Sequence, residues 1–305
     1  MSFKKDHLRY FVTVAEEGQI TRAAQKLFIA QPALSQAIAQ LESELGLSLF
    51  ERHARGVRLT AAGEAFLDKA RAAVDSEHAV LRTAASLARA AKRTMEVGFV
   101  GPPPTMTSPD LFTAFADAEP DAEVTFRDLA FPSGSTRSWL AGVDVAFCHT
   151  PDEDEGVLAQ PVRVEPRALV LHREHRLAAE KELAVTDALE ETFISYHPDV
   201  QRRWAGFHSL DDHRGRPPSA LTEGSASTSL QMLGLLVQGD AVTTIPFADC
   251  QLVCGVLPDT VAMPLRDADP AVVSLVWEAD HAHPLVEALV ATAQSLSPQS
   301  ADGRR

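Results

Sequence analysis

Residues 20–41 read ITRAAQKLFIAQPALSQAIAQL, and this segment decides the fold of the first part of the chain. Ala23, Ala24 and Leu27 recur at helical spacing and are followed by a short turn. Pro32 then stands where a further helix can begin, because its missing N–H is not needed there. The apolar stripe of that helix is Leu34, Ala37, Ile38 and Leu41. Two helices joined by a turn, with alanines that allow close approach, indicate a helix-turn-helix unit.

The sequence on either side extends this unit. Residues 6–17 have a helical apolar face, and the segment LFERHARGVRLT, residues 49–60, predicts a short β-hairpin or wing with three arginines around a glycine turn. Thr60 is placed to cap a long helix that runs to about Arg93. Its apolar seam steps by three and four residues, through Leu67, Ala70, Val74, Glu77, Leu81, Ala84 and Ala88. That period favours a coiled-coil contact between two chains, and the alternative is a helix packed on its own domain.

From Met95 onward the pattern changes to alternating strands and helices. The strand candidates are Met95–Val100, Glu123–Leu129, Val143–Cys148, Ala168–Leu171, Phe193–Tyr196, Val242–Ile245 and Val272–Trp277. Helices are expected over residues 108–118, 134–141, 227–238 and 284–295. This order predicts an α/β region with largely parallel strand pairing. The tail after Pro298 is polar and is expected to be disordered.

The charge of the chain is unevenly distributed. The net charge is −14, which taken alone argues against binding to nucleic acid. Residues 1–60 contain eight Lys and Arg against six Asp and Glu, so this part carries +2 and the rest of the chain carries −16. The acidic charge therefore lies outside the helix-turn-helix unit and does not oppose DNA binding there.

Composition sets the compartment that we expect. No apolar run approaches the roughly 20 residues of a membrane span, and no apolar stretch follows the basic N-terminus as in a secretory signal. Three cysteines, Cys148, Cys250 and Cys254, are too few for a disulfide framework. A cytoplasmic protein is the expectation.

A dense set of positions in residues 8–63 resembles the N-terminal domain of the LysR-type transcriptional regulators. These positions are Leu8-x-x-Phe11, Ala15-Glu16-x-Gly18-x-Ile20-Thr21-x-Ala23-Ala24, Leu27, Gln31-Pro32-Ala33-Leu34-Ser35-Gln36-x-Ile38, Leu41-Glu42, Leu45-Gly46-x-x-Leu49-Phe50-x-Arg52 and Leu59-Thr60-x-Ala62-Gly63. Looser motifs follow in Arg173–Ala178, Gly239–Pro246 and His283–Leu285. So many matches at fixed spacing make the N-terminal resemblance specific.

The resemblance implies a fold and a division into domains. It predicts an all-α winged helix-turn-helix domain over residues 1–60, a linker and dimerisation helix over 61–93, and an α/β effector domain over 94–297, with a disordered tail over 298–305. The effector domain is expected to have two lobes, like a periplasmic binding protein. We place lobe I at 94–163 and 265–297 and lobe II at 164–264, with chain crossings near Val164 and Pro264.

The third helix is expected to lie in the major groove of DNA. The candidate DNA-binding residues are Thr21, Arg22, Gln31, Pro32, Ala33, Ser35, Gln36, Arg52, Arg55 and Arg58. Gln36 can read adenine and Ser35 can donate to a base or a phosphate. The wing arginines suit phosphates or the minor groove, and Thr21 and Arg22 suit phosphates. The alternative for each is an ordinary solvated surface.

The effector is expected in the cleft between the lobes, where strand ends and helix N-termini favour polar or anionic groups. The candidate effector-binding residues are Thr105, Thr107, Ser108, Ser133, Thr136, Cys148, His149, Ser195, Tyr196, Ser225, Thr228 and Phe247. Each of them can equally be a capping or turn residue. Pro102, Pro103 and Pro104 stiffen one loop of the expected cleft and remove its N–H donors, which leaves more of the binding to side chains.

Three other functions compete with this one. An enzyme is disfavoured because the chain has no G-x-S-x-G elbow, P-loop, G-x-G-x-x-G or Cys-x-x-Cys. A constitutive DNA binder without an effector, and a redox sensor that uses Cys250 and Cys254, stay open. No cofactor or metal is expected. The expected partners are double-stranded promoter DNA, a small molecule, RNA polymerase, and copies of the same chain, as a homodimer through the linker helix or as the tetramer that the family commonly forms.

Two substitutions distinguish base reading from phosphate binding. Gln36→Ala should lower the discrimination between operator and unrelated DNA by about tenfold, because a bidentate base contact is lost. Arg55→Ala should weaken binding to all DNA alike and reduce the salt dependence of the affinity. Fluorescence anisotropy at several salt concentrations measures both effects. Unchanged operator affinity in both variants would contradict this docking.

Overall fold

The computed structural model describes residues 5–53, 56–104, 108–149, 156–280 and 283–296. The chain divides into two compact units, Met1–Arg82 and Thr83–Arg305. The dividing point lies inside one long helix, so the helix belongs partly to each unit. The tail predicted to be disordered, residues 298–305, lies outside the described residues, as do Arg55, Thr105 and Thr107.

The first unit is a three-helix core followed by a β-hairpin and the start of the long helix. Its elements are α1 (Lys5–Glu17), α2 (Ile20–Lys26), α3 (Gln31–Leu45), β1 (Phe50–His53), β2 (Gly56–Leu59) and α4 (Ala61–Ala91). Ala23, Ala24, Leu34, Ile38 and Leu41 are buried as predicted, whereas Leu27 and Ala37 are half-buried. The ring centre of Phe11 lies 5.2 and 5.3 Å from those of Phe50 and Phe66 in this core.

Polar contacts fix the ends of these elements. Gly46 ends α3 in the left-handed conformation, with φ 67°, which glycine adopts without a steric penalty. The backbone N–H of Val57 in the hairpin donates to the carbonyl of Gly18 at 2.9 Å, which holds the wing against the helices. Thr60 caps α4, as predicted, because its Oγ1 accepts from the N–H of Gly63 at 2.9 Å.

The second unit begins with a five-stranded sheet that defines lobe I. Its strands, in sheet order, are β4 (Glu123–Asp128), β3 (Thr94–Phe99), β5 (Val145–His149), β12 (Ala271–Glu278) and β6 (Val157–Glu165). The lobe also contains α5 (Pro109–Ala118), α6 (Thr136–Trp139) and α12 (Pro284–Leu296). Helices α5 and α12 pack together over the sheet, and their apolar faces close its core.

Lobe II is built on β7, which lies one residue after β6. The strands of this lobe are β7 (Arg167–His172), β8 (Phe193–Tyr196), β9 (Leu221–Ala226), β10 (Thr243–Pro246) and β11 (Thr260–Pro264). They form the sheets β10-β7-β11 and β8-β9, joined by a bridge between Phe193 and Val242. The helices are α7 (Val185–Ala188), α8 (Arg202–Ser209), α9 (Asp211–Arg214), α10 (Ser229–Leu236) and α11 (Cys250–Val256), with 3-10 turns at Arg176–Ala179 and Phe247–Asp249.

The pairing is mixed, so the prediction of largely parallel strands was wrong. Strand β3 pairs in parallel with β4 and β5, and β8 pairs in parallel with β9. Strand β12 is antiparallel to β5 and β6, and β7 is antiparallel to β10 and β11. Each of these antiparallel pairs contains β7 or β12. These are the strands that follow the two lobe crossings, because β6 leads into β7 and β11 leads back to β12.

The stability of lobe II should depend more on its buried phenylalanine than on its exposed one. Phe193 is fully buried, with the guanidinium of Arg214 5.1 Å from its ring centre, whereas Phe247 is 44% exposed. Phe193→Ala should lower the free energy of unfolding by about 3–5 kcal/mol, and Phe247→Ala by less than about 1 kcal/mol. Tryptophan fluorescence during urea unfolding measures this, since all three tryptophans follow residue 82. Equal losses in the two variants would contradict the packing described.

Candidate nucleic-acid interface and ligand cleft

The exposed face of α3 is polar and lies at the start of the helix. Gln31, Pro32, Ala33 and Gln36 are exposed, and Ser35 is half-buried. The side-chain amide of Gln31 donates to Oγ of Ser35 at 3.1 Å. The opposite face of α3 carries the buried leucines and isoleucine, so packing in the core directs these polar side chains outward.

The wing presents charge on its outer face. Arg52 in β1 and Arg58 in β2 are both exposed, and Arg58 lies directly across the hairpin from Glu51. Thr21 and Arg22 are exposed on α2, and the Arg22 guanidinium donates to the carbonyl of Glu17 at 2.7 Å. The described candidate DNA-binding residues therefore lie on the exposed surface of the first unit, with Ser35 half-buried.

One residue beside this surface was missed by the sequence analysis. Phe28, in the turn between α2 and α3, is 95% exposed and has a positive φ of 54°. Residues with large side chains rarely adopt this backbone conformation. The exposed ring of Phe28 also contributes no apolar burial to the core of the first unit. The signal available in the sequence was an aromatic residue at a turn where a small or polar one is usual.

A cavity of about 140 Å³, open to solvent, lies between the two lobes. Lobe I contributes the loop after β3, the end of β5 and Phe131, and lobe II contributes α8, α10, β10 and α11. The lining residues are Val100, Gly101, Pro102, Phe131, His149, Trp204, His208, Ser229, Met232, Leu233, Ile245, Pro246, Asp249, Leu252, Val253 and Val256. Most of this wall is apolar, which is typical of a small-molecule site.

Two buried histidines join the lobes at the wall of the cavity. Nε2 of His149, at the end of β5, lies 3.0 Å from Nε2 of His208 on α8. The other ring nitrogen of His208, Nδ1, lies 2.5 Å from the carbonyl oxygen of Thr244 in β10. Burial, with the charge of Arg167, lowers the pKa of His149 to about 3. Burial also holds the pKa of His208 well below its ordinary value, so both rings are neutral at neutral pH.

The positive charge behind the histidines is itself compensated. The Arg167 side chain is fully buried, and it donates to Asp212 at 2.6 Å and to the carbonyl of Phe207. Its guanidinium lies over the ring of Phe207, 4.0 Å from the ring centre, and donates to Oγ1 of Thr244 at 3.2 Å. Arg167 therefore fixes the backbone that holds His208 and does not line the cavity.

Aromatic rings enclose the histidine pair. The Trp204 ring centre lies 4.0 Å from that of His208 and 4.1 Å from that of Phe131, which brings lobe I and lobe II into contact. The Tyr196 hydroxyl lies 3.0 Å from Oγ1 of Thr243, and burial raises the pKa of this tyrosine. The indole N–H of Trp204 is buried and makes no hydrogen bond within the part of the chain that the structure describes.

A cluster of two acidic side chains and one arginine also borders the cavity, and its members Arg163 and Asp249 line a small adjoining recess together with His149. Nε of Arg163 on β6 donates to Glu165 at 2.7 Å, and its NH2 group lies 3.9 Å from Asp249 of lobe II. The second oxygen of Glu165 accepts from the N–H of Ala248 at 2.5 Å. Burial first, and the charge of Glu165 second, raise the pKa of Asp249 to about 7. Two carboxyl groups thus share one guanidinium.

The predicted effector residues are distributed around the cleft, and most have structural contacts. His149 lines the cavity, and Cys148 lines a small recess that adjoins it. Three of the others make side-chain hydrogen bonds: Ser108 accepts from Arg163, Tyr196 contacts Thr243, and Thr228 caps α10. Ser133 forms a β-bridge with Val200, and Ser195 pairs with Ser225 between β8 and β9. Thr136 is the first residue of α6, and Phe247 is the first residue of the turn after β10. The sequence analysis missed Trp204, His208 and Asp249, because it did not predict helix α8 or the turn after β10.

The surroundings of Cys250 disfavour a reactive thiol. Burial raises the pKa of Cys250 to about 12, with the charge of Cys254 adding to the effect, and this strongly disfavours the thiolate. In the ranges of the chain that the structure describes, no group of three or more His, Cys, Asp or Glu could hold a metal ion. None of the described helices is long and apolar enough to cross a membrane.

Comparison with known proteins gives matches along the whole chain. The family profile described as bacterial regulatory helix-turn-helix protein, lysR family, matches residues 6–64, and the LysR substrate binding domain matches residues 88–297. The transcriptional regulator AlsR of Bacillus subtilis (strain 168) is 28% identical over 242 residues, 79% of each chain. The small neutral protease regulatory protein of Streptomyces coelicolor is 30% identical over 283 residues, 88% of this chain and 84% of its own.

The solved structures agree on the fold. The crystal structure of CbnR, a LysR family transcriptional regulator, superposes with a TM-score of 0.53 at 23% identity, over 97% of this chain and 99% of that chain. An OxyR mutant of Corynebacterium glutamicum superposes with a TM-score of 0.52 at 25% identity, over 97% and 92%.

The raised pKa of Asp249 makes stability depend on pH. The folded protein holds a proton on Asp249 up to about pH 7, whereas the unfolded chain releases it near the ordinary pKa of 3.8. Asp249 therefore destabilises the fold increasingly as the pH rises from about 4 to 7, by on the order of 1 kcal/mol per unit. The melting temperature of Asp249→Asn should exceed that of the wild type by a margin that grows over this window.

The exposed residue Asp240 provides the control for that measurement. Any change with pH in the difference between Asp240→Asn and the wild type should be much smaller than that for Asp249→Asn. A constant difference for Asp249→Asn would show that this carboxyl group ionises normally in the folded protein.

Proposed function

The chain belongs to the LysR family of bacterial transcriptional regulators, and we propose that it docks on promoter DNA through α3 and the wing and responds to a small molecule held between the lobes. The observation that carries this proposal is the pairing, in one chain, of an exposed polar face on α3 with an apolar interlobe cavity. Neither feature is needed to stabilise the fold. The polar face of α3 suits DNA binding, and the apolar cavity suits the binding of a small molecule that controls it.

The DNA-binding roles rest on exposure and on residue type. Gln31, Ser35 and Gln36 supply amide and hydroxyl groups at the start of α3, where a recognition helix meets the edges of bases. Arg52 and Arg58 lie on the wing and suit phosphates. Arg55 belongs to the same proposal on its sequence position alone.

The proposed domain boundaries follow the elements. We assign residues 1–60 to DNA binding, 61–93 to the linker helix, and 94–297 to the effector domain. The proposed division of the effector domain, near Val164 and Pro264, is supported by the change of sheet between β6 and β7 and by the end of β11. Promoter DNA is the target, so the cytoplasm is the proposed compartment.

Self-association through α4 is supported by its exposed apolar side chains. Leu67 is half-buried and Ala70 is buried beside the core of the first unit, so the start of the predicted seam packs on its own domain. Leu81 and Leu87 are 59% and 55% exposed. We assign this later part of α4 to a homodimer contact, with a tetramer and contact with RNA polymerase as further proposed steps.

The competing functions have less support. The raised pKa of Cys250 argues against redox sensing through Cys250 and Cys254. A constitutive binder has no need for an apolar cavity at the junction of two lobes. The relatives are named as transcriptional regulators, which agrees with a protein that is not an enzyme.

Selection from random DNA tests the function directly. The purified full chain should enrich duplexes that share one sequence motif, and Gln36→Ala should enrich that motif less. Retention of DNA without any shared motif would indicate a non-specific binder and would contradict the proposal.

The assembly contact makes a separate prediction. Replacing Leu81, which lies on the predicted seam, by Gln should weaken self-association by at least tenfold, because in a homodimer an apolar side chain leaves the contact on both chains. Sedimentation equilibrium should show a lighter species than the wild type at the same concentration. The control replaces Leu230 and Leu296, which are also exposed but lie on other helices, and should keep the wild-type mass. Identical masses for all three proteins would remove α4 from the interface.

A further inference from the structure

The polar groups of the interlobe cavity define a hydrogen-bonding requirement for whatever binds there. The reasoning starts at Thr244, whose carbonyl oxygen can only accept. Nδ1 of His208 lies 2.5 Å from that oxygen and must therefore carry the proton. His208 is neutral, so its Nε2 has a lone pair and no hydrogen.

The same logic fixes the tautomer of His149. Its Nε2 lies 3.0 Å from Nε2 of His208 and must donate to it. Because His149 is also neutral, its Nδ1 keeps a lone pair. Within the described residues, Nδ1 of His149 makes no hydrogen bond. This atom is not one of the solvent-inaccessible polar atoms that lack a partner, and His149 lines the cavity, so Nδ1 is accessible from the cavity. The carbonyl of Thr244 thus fixes the proton of His208 on Nδ1, and this in turn fixes the proton of His149 on Nε2. Nδ1 of His149 is therefore a hydrogen-bond acceptor for a molecule in the cavity.

The charge around the cavity disfavours an anion. Among the described lining residues there is no Lys or Arg, and the one ionisable acid is Asp249. Residues 105–107 and 150–155 contain no Lys or Arg either. The guanidinium of Arg163 is shared by Glu165 and Asp249, so the cluster is neutral while Asp249 holds its proton and negative once Asp249 ionises. A bound carboxylate would lie beside this cluster without a free cation.

We propose that the cavity takes an uncharged, mainly apolar molecule, such as a substituted aromatic ring, whose hydroxyl group donates a hydrogen bond to Nδ1 of His149. The apolar walls from α10 and α11 bind the body of the molecule, and the nearly buried rings of Trp204 and Phe131 complete the wall beside His149. This inference rests on the proposed function, because it names the ligand class of the same cleft. It replaces the expectation from the sequence that the site favours polar or anionic groups.

Three probes of one shape test the ligand class: para-propylphenol, para-propylanisole and para-propylbenzoate. Calorimetric titration of the full chain at neutral pH should show that the phenol binds about tenfold more tightly than the anisole, which lacks the donor. The benzoate should bind at least tenfold more weakly than the phenol. Equal or tighter binding of the anisole or the benzoate would overturn the ligand class while keeping the cleft as a ligand site.

Two variants place the effect at the named residues. His149→Phe removes the acceptor and should reduce the preference for the phenol over the anisole to about twofold or less. Asp249→Asn removes the neighbouring carboxyl group and should strengthen benzoate binding several-fold, with the preference for the phenol over the anisole kept; this second variant decides the question if the first one does not fold. An unchanged phenol preference in folded His149→Phe overturns the assignment to His149. Binding of none of the three probes overturns both the ligand class and the proposed apolar effector site.

Discussion

The hydrogen-bonded chain from Thr244 through His208 to His149 is the constraint on which the effector region depends. It begins on a strand of lobe II, passes through helix α8 and ends on a strand of lobe I. Because both rings are buried and neutral, the link costs less desolvation than an ion pair would at the same place. Arg167 lies behind the chain, holds the backbone at Phe207, and contributes to lowering the pKa of both histidines. This junction forms part of the cavity wall, and the tautomers of the two histidines determine which hydrogen bonds that wall can make.

The first unit depends on a simpler constraint, which is the packing of apolar side chains at helical spacing. Phe11, Leu34 and Leu41 occupy the centre of that core, and their positions direct Gln31 and Gln36 outward. The surface assigned to DNA is therefore a consequence of the core, with the wing anchored by one backbone hydrogen bond between Val57 and Gly18. The acidic charge of the chain lies outside residues 1–60, so it does not oppose this surface.

Much of this arrangement could be predicted from the sequence, and the failures have physical causes. Local periodicity and glycine positions predicted α1, α3 and the hairpin, since those signals act within a few residues. Strands β6, β9 and β11 were missed, because exposed or edge strands have no continuous apolar run, and the pairing direction depends on lobe crossings distant in sequence. In the cleft, His149 was predicted from a strand end, whereas Trp204, His208 and Asp249 reach the cavity only through tertiary packing.

The central claim is that the two buried histidines are neutral and share one fixed pair of tautomers. Nitrogen-15 NMR of the histidine-labelled full chain at neutral pH measures this directly, with His149→Phe and His208→Phe used to assign the signals. We predict that the proton of His208 is on Nδ1 and that of His149 is on Nε2, which leaves Nδ1 of His149 as a bare acceptor. A protonated imidazolium at either residue, or a proton on Nδ1 of His149, would contradict the account.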